Sequence, residues 1–294
     1  MPTTAQSVPS PPSPHPPHRI GLLYAPRIEA ALRLAGEVES ALVRQGLSVW
    51  CGSPDDADGP GRQDLAACDL LLTLGGDGTA LRAANLAAPL GIPLVCIGMG
   101  HLSFMAELTP EDLWPQLPTL LAGDYWLEER AMVEGCVVRG GQTTPCVPAL
   151  NEIVLGRERC ALTLRVAARV NGAHLITYVC DAVIAATATG STAYAVSAGG
   201  PILFPTSRAI LLLPVAAHLS LLPPLIIPED ALVELEVVNG SGAGINADGQ
   251  PQSDLLSGDV VRVWRSAVAC YFARLREGNY FFRTLKARLY RENL

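Results

Sequence analysis

Asp69-Leu70-Leu71-Leu72-Thr73-Leu74-Gly75-Gly76-Asp77-Gly78-Thr79 is the stretch on which the fold turns. An apolar run of strand length, closed by glycines, reads as a strand. Three glycines in four positions let backbone N–H groups approach a ligand closely. The helix expected from Ala80 to Ala88 points its positive N-terminal end at the same place. This is a phosphate cradle made of backbone, which needs no lysine. Asp77 inside it can accept a proton from an attacking hydroxyl or hold a divalent cation. Thr79 is placed to cap the helix, and Arg82, almost one turn on, to offer a cation to a phosphate chain. A plain strand-to-helix turn has the same shape, so the turn alone is a weak signal.

The pattern repeats on either side. Ile20–Tyr24, Leu47–Trp50 and Pro93–Ile97 read as further strands, and Ile28–Gln45 carries apolar residues at helical spacing. Thr109-Pro110 has the form of a helix start, interrupted by Pro115 and Pro118. Strand-helix alternation over residues 19–124 predicts a doubly wound parallel α/β domain. From Tyr125 the texture changes to alternating β runs with Asn171-Gly172 as a hairpin turn, predicting a β-rich second domain over 125–276. Residues 277–294 place Phe281, Phe282, Leu285 and Leu289 on one stripe, as a helix packing back on the first domain would. Residues 1–18 hold seven prolines and read as a disordered tail.

Composition removes several classes. A net charge of −7, with 21 basic against 28 acidic residues and no basic run, argues against nucleic acid as a partner. Lys286, the single lysine, lies in neither a G-x-x-x-x-G-K-[ST] loop nor a protein-kinase strand, so a phosphate-handling protein here uses neither lysine-based machine. Eight scattered cysteines, without C-x-x-C or histidines at metal spacing, suit the reducing cytoplasm and predict no zinc site. The apolar stretch Ala209–Ile227 contains Pro214, Pro223 and Pro224, which suits strands and turns better than a membrane helix.

Three further segments carry chemistry. Thr189-Gly190-Ser191-Thr192-Ala193-Tyr194, followed by Ser197 and Gly199-Gly200-Pro201, makes a small-residue turn and a short helix suited to a ribose, an amide or a purine edge. Asn151-Glu152 heads a strand, where an amide can read adenine and a carboxylate can accept from both ribose hydroxyls. Asp181, flanked by Cys180 and Ala182, needs a partner or a ligand. Asp248-Gly249-Gln250 is a good turn and little more by itself.

Taken together, these segments closely resemble the NAD kinase family over nearly the whole chain after the proline tail. Gly75-Gly76-Asp77-Gly78-Thr79 matches its GGDGT, Asn151-Glu152 its NE pair, Thr189–Pro201 its TGSTAY-x-x-S-x-GGP and Asp248-Gly249-Gln250 its DGQ. GGDGT alone is shared with lipid kinases and phosphofructokinases; four motifs in this order are specific. The resemblance implies an N-terminal α/β domain, a β-rich C-terminal domain and an active site between them. It also implies phosphorylation of the 2′-hydroxyl of the adenosine ribose of NAD, giving NADP, with ATP or polyphosphate as donor and a divalent cation (Mg²⁺ or Mn²⁺). Asp77 becomes the general base, Gly75, Gly76 and Gly78 the phosphate cradle, and Asn151 and Glu152 the holders of the acceptor adenosine. Asp181, Thr189, Thr192, Ala193, Tyr194, Ser197 and Gln250 line the dinucleotide site, and the assembly is a homodimer or homotetramer. The chain departs from the family's G-I-N-x-G-x-L-G-F segment, reading Cys96-Ile97-Gly98-Met99-Gly100-His101-Leu102-Ser103-Phe104. Ala188 replaces the proline of TPTG, and Val179 an arginine common two residues before the pocket aspartate.

Overall fold

The computed structural model describes residues 9–59, 61–100, 103–157, 164–218, 222–239 and 242–289. The chain divides into two compact units, Met1–Glu129 with Val268–Leu294, and Arg130–Ala267. Along it run β1 (Arg19–Tyr24), α1 (Glu29–Arg44), β2 (Ser48–Gly52), α2 (Pro54–Asp58), α3 (Arg62–Ala66), β3 (Leu70–Gly75), α4 (Asp77–Ala87), β4 (Leu94–Gly98) and α5 (Pro110–Leu121). Then follow β5 (Trp126–Arg139), β6 (Gln142–Thr143), β7 (Val147–Ala149), β8 (Glu152–Arg157), β9 (Leu164–Val170), β10 (Ala173–Cys180) and β11 (Ala182–Ala186). The remainder is α6 (Tyr194–Ser197), β12 (Ile210–Val215), β13 (Leu225–Ile227), β14 (Val233–Asn239), β15 (Ala243–Ala247), β16 (Gln250–Leu255), β17 (Val260–Arg274) and α7 (Tyr280–Leu289).

The first unit is a parallel α/β sheet ordered β4-β3-β1-β2, with the end of β17 beside β4 through Phe272 and Leu94. Every residue of β3 is buried, as its run of leucines requires when strands flank it on both sides. Ala31, Leu34, Ala35, Val38 and Leu42 of α1 and Leu113, Leu117 and Leu120 of α5 cover the same core. Helix α5 runs unbroken through Pro115 and Pro118, contrary to the interruption expected of them. Its Thr109 and Asp112 form a reciprocal capping box, its leucine stripe is buried, and both interior prolines face water, so the carbonyls they leave unpaired can be solvated. Residues 9–18 of the proline-rich segment, read as a disordered tail, run without regular structure against this unit. Pro17 is buried, and the amides of His18 and Arg19 donate to the Asp69 carboxylate at 2.7 and 2.8 Å.

Two antiparallel sheets make the second unit. One is ordered β10-β9-β14-β17, the other β13-β12-β11-β8-β15-β16. Val166, Ala168, Tyr178, Val233 and Leu235 of the first meet Ile153, Leu155, Val183, Ala185, Leu212 and Ile245 of the second in one core, a β-sandwich. The Asn171-Gly172 turn joins β9 to β10 with both residues at positive φ (50° and 78°), the hairpin its sequence predicts. At Asp181 the chain leaves the first sheet and enters the second. The Ala209–Ile227 stretch supplies β12 and β13, and among the described residues no helix is long and apolar enough to cross a membrane.

Candidate active site

In the first unit Gly76 caps α4 in an extended conformation, and Asp77 is the first helical residue. The helix therefore begins three residues before its expected start. Thr79 does not cap it, because it lies inside the first turn. Thr79 packs instead over Gly75, where a Cβ would stand 2.4 Å from its Oγ1. At Gly76 and Gly78 a Cβ would meet nothing within 4 Å, so no packing demand explains these two glycines, and both face water. They leave the helix N-terminus bare for an anion to approach. Asp77 is half-buried: its Oδ1 accepts from the Ser103 hydroxyl and, at 3.2 Å, from the Met105 amide, and its Oδ2 accepts from the Phe104 amide at 3.0 Å. Arg82 is paired with Asp55 of α2 at 2.7 Å on the surface. The altered loop holds these donors, though His101 and Leu102 within it lie outside the described residues.

The segment that leads from this loop to α5 is anchored by a buried charge network that no sequence motif announced. Arg274 is fully buried between Glu107 at 3.1 Å and Glu128 at 2.9 Å, with the Phe272 and Tyr280 rings 4.9 and 5.0 Å from its guanidinium carbon. Burial alone would pull the guanidinium's pKa down; Glu128 first, then Tyr280 and Glu107, more than reverse that, so it is raised. Helix α7 seats Tyr280 and Phe281 and leaves Leu285 half-buried, while Phe282 is exposed, so the expected stripe holds at Phe281 and fails at Phe282. The Leu289 side chain of that stripe lies outside what the structure describes.

In the second unit Glu152, Asp181 and Tyr194, of the remaining candidates, line one cavity at the β11-β8-β15 face, while Thr189, Thr192, Ala193, Ser197 and Gln250 are not part of its lining. Asp248 adopts φ 50° in the turn between β15 and β16, which frees its carboxylate to accept from the amides of Leu150, Asn151 and Glu152 at 2.7, 2.8 and 3.0 Å. Asp248, read from sequence as a turn and no more, is thus what shapes the Asn151-Glu152 turn. Gly190 lies under that turn: a Cβ there would stand 2.1 Å from the Asn151 carbonyl oxygen. Gly190→Ala is expected to lower stability by about 3 kcal/mol, the upper end for overpacking, because the obstruction is backbone. A denaturant melt with an unchanged midpoint would show that the two turns do not pack in this way.

Asn151 Oδ1 and Glu152 Oε2 are buried with no hydrogen-bond partner. Burial, then the neighbouring Asp248 carboxylate, pushes the Glu152 carboxyl up to about 8. A cavity of about 600 Å³ is lined by Glu152, Arg157, Asp181, Tyr194 and Asn246, among others. Asp181 does have the partner it needed: Arg157, absent from the sequence candidates, donates to it at 2.7 Å. Tyr194 and Ser197 stand exposed on α6, and Thr189 is buried with its hydroxyl accepting from Arg130 at 3.1 Å. Thr192 donates its hydroxyl to the Thr189 carbonyl, Ala193 is half-buried immediately before α6, and Gln250 is exposed at the start of β16.

The profile described as ATP-NAD kinase C-terminal domain matches residues 150–275, and that described as ATP-NAD kinase N-terminal domain matches residues 57–125. An NAD kinase of Chloroflexus aurantiacus is 42% identical over 274 residues, covering 93% of this chain and 99% of that protein. The chain belongs to the NAD kinase family. It is an enzyme of that family, with the family's N-terminal α/β domain and β-rich C-terminal domain. An NAD kinase of Heliobacterium modesticaldum is 43% identical over 229 residues, 78% of this chain and 81% of that one. Among solved structures, yeast NADH kinase complexed with NADH superposes with a TM-score of 0.84 at 21% identity, over 95% of this chain and 89% of that one. An NAD kinase from Archaeoglobus fulgidus in complex with ATP gives a TM-score of 0.73 at 26% identity, over 92% and 98%.

Proposed function

We propose that this NAD kinase family member transfers the terminal phosphoryl group of ATP to the 2′-hydroxyl of the adenosine ribose of NAD, giving NADP. The observation that carries the reading is the pair of buried, unpartnered acceptors Asn151 Oδ1 and Glu152 Oε2, one amide and one carboxylate oxygen, the latter in a residue that lines the cavity with Arg157, Asp181 and Asn246. An adenine amine satisfies the first and ribose hydroxyls the second, at no cost of a lost protein bond. Asp181, Thr189, Thr192, Ala193, Tyr194, Ser197 and Gln250 line the rest of the dinucleotide site, with Tyr194 as the stacking surface. The open amides at Gly76 and Gly78 hold phosphate, and Asp77 takes the proton from the acceptor hydroxyl.

Mg²⁺ or Mn²⁺ enters as part of the donor substrate. Among the described residues no three His, Cys, Asp or Glu side chains gather to hold an ion. Such an ion needs little from the protein when it is bound mainly by substrate phosphates. The free thiols of the described cysteines suit a cytoplasmic place of work. NADP formation by purified protein with NAD, ATP and Mg²⁺ tests the reading. Turnover with polyphosphate and none with ATP reassigns the donor; no NADP with either refutes the proposal.

Glu152 supplies a pH test. Its folded value near 8 lies above the ordinary 4.5, so the folded chain holds more protons between the two, and ligand-free stability falls as pH climbs across that window. Ribose hydroxyls donate to the ionised form, so NAD binding is expected to tighten from about pH 6 to about pH 8. Glu152→Gln should flatten both profiles; titration calorimetry and thermal melts read them. A wild-type affinity independent of pH would remove Glu152 from the ribose.

A further inference from the structure

The hydrogen bonds at Asp77 can be followed donor by donor. Ser103 Oγ accepts from the Met105 amide at 3.2 Å and the Ala106 amide at 2.8 Å. A hydroxyl has one hydrogen and two acceptor lone pairs. A carboxylate oxygen only accepts, so the Ser103 hydrogen goes to Asp77 Oδ1, and the one Met105 amide hydrogen is shared between Ser103 Oγ and that same Oδ1. Among the described residues Oδ1 therefore receives the Ser103 hydroxyl and a share of the Met105 amide, whereas Oδ2 receives only the Phe104 amide and keeps a lone pair open. The loop that does this is tied from behind. Arg288 donates to the Phe104 carbonyl at 3.0 Å and Arg274 to the Met105 carbonyl at 3.2 Å, while Glu107 takes the amides of Leu275 and Arg276 at 2.9 and 2.8 Å.

We propose that Ser103 is a positioning residue for phosphoryl transfer. Its hydroxyl locks Asp77 Oδ1 and so presents Oδ2 as the oxygen that receives the acceptor's proton. The inference rests on Asp77 being the general base. In the step itself the acceptor oxygen bonds to the terminal phosphorus as the bond from that phosphorus to its bridging oxygen breaks. The donor leaves one phosphate shorter, carrying the electron pair of the broken bond. The acceptor's proton passes to Asp77 Oδ2 and is later released to water. A carboxylate free to swing about its own bond would present either oxygen, and misorientation of a reacting group is costly.

The test is a double-mutant cycle on the full chain, with Ser103→Ala, Ser103→Thr, Asp77→Asn and the pair Asp77→Asn/Ser103→Ala. Each variant is assayed for kcat, for both KM values and for its melting temperature. Ser103→Ala is expected to lower kcat by about tenfold with both KM values held, and Ser103→Thr, which keeps the hydroxyl, to restore most of it. On the Asp77→Asn background Ser103→Ala should change kcat by less than about twofold, since the oxygen it serves is gone. Additive losses in the cycle overturn the proposal, as does a fall in melting temperature with kcat unchanged, which assigns Ser103 to stability alone. If Asp77→Asn keeps wild-type kcat, it is the base reading that fails. If Asp77→Asn is inactive and Ser103→Ala is indistinguishable from wild type, only the role of Ser103 fails.

Discussion

Asp77→Asn is expected to lower kcat for NADP formation by at least ~10²-fold, the lower end of what a positioned general base contributes. A ribose hydroxyl is a poor nucleophile until its proton has somewhere to go, and the phosphoryl transition state leaves little else for the protein to do beyond positioning and neutralising charge. Asparagine keeps the shape and can still accept from Ser103 and Met105 through its oxygen. Its NH₂ then faces the Phe104 amide, donor against donor, and one hydrogen bond is lost. Because the site is only half-buried, that loss is a minor part of stability, and circular dichroism with a thermal melt separates it from the catalytic effect. A transition-state contribution shows as equal falls in kcat and kcat/KM. An unchanged kcat would leave the family assignment standing and remove Asp77 as the base.

Much of this was legible in the chain, and for identifiable reasons. β3 and the cradle after it are local: an apolar run, glycines and a helix start within a dozen residues. The Asn171-Gly172 hairpin is local in the same sense. Asp181 was read as a carboxylate needing a partner, but Arg157 lies 24 residues away and meets it only because β8 and β11 pair with Gly156 opposite Ala182. No pattern within either strand encodes that register. Asp248 looked like an ordinary turn residue because its work is done through three amides nearly a hundred positions upstream. The prolines of α5 misled in the opposite way. Each costs up to about 3 kcal/mol inside a helix, yet a capping box and a buried leucine stripe outweigh them where the prolines face water. In α7 the apolar stripe expected at helical spacing is right at Phe281 and wrong at Phe282; the inward face also takes Tyr280 and Arg288, whose polar tips have partners in the interior.

The largest stability effect is expected at Arg274. Arg274→Met keeps much of the volume and removes the cation that bridges Glu107 and Glu128, two carboxylates 0% and 2% exposed. Breaking a buried pair from one side costs about 3–5 kcal/mol, because the remaining charge has lost its counter-ion and is not solvated in exchange. At about 2–4 °C per kcal/mol for a chain of this size, the melting temperature should fall by about 10 °C. Replacing Glu128 by Met as well should recover part of that loss. Glu107 would then be the one carboxylate left, and it still accepts from the amides of Leu275 and Arg276. A single-variant loss below about 1 kcal/mol, the size of an exposed pair, would mean that the network is not buried as described. The same substitution reaches the chemistry. Arg274 also donates to the Met105 carbonyl, and the Met105 amide is one of the two donors on Asp77 Oδ1. The variant should therefore lose kcat even at temperatures where it is fully folded. Glu128→Gln, which leaves the Met105 contact in place, should lower the melting temperature while largely sparing kcat.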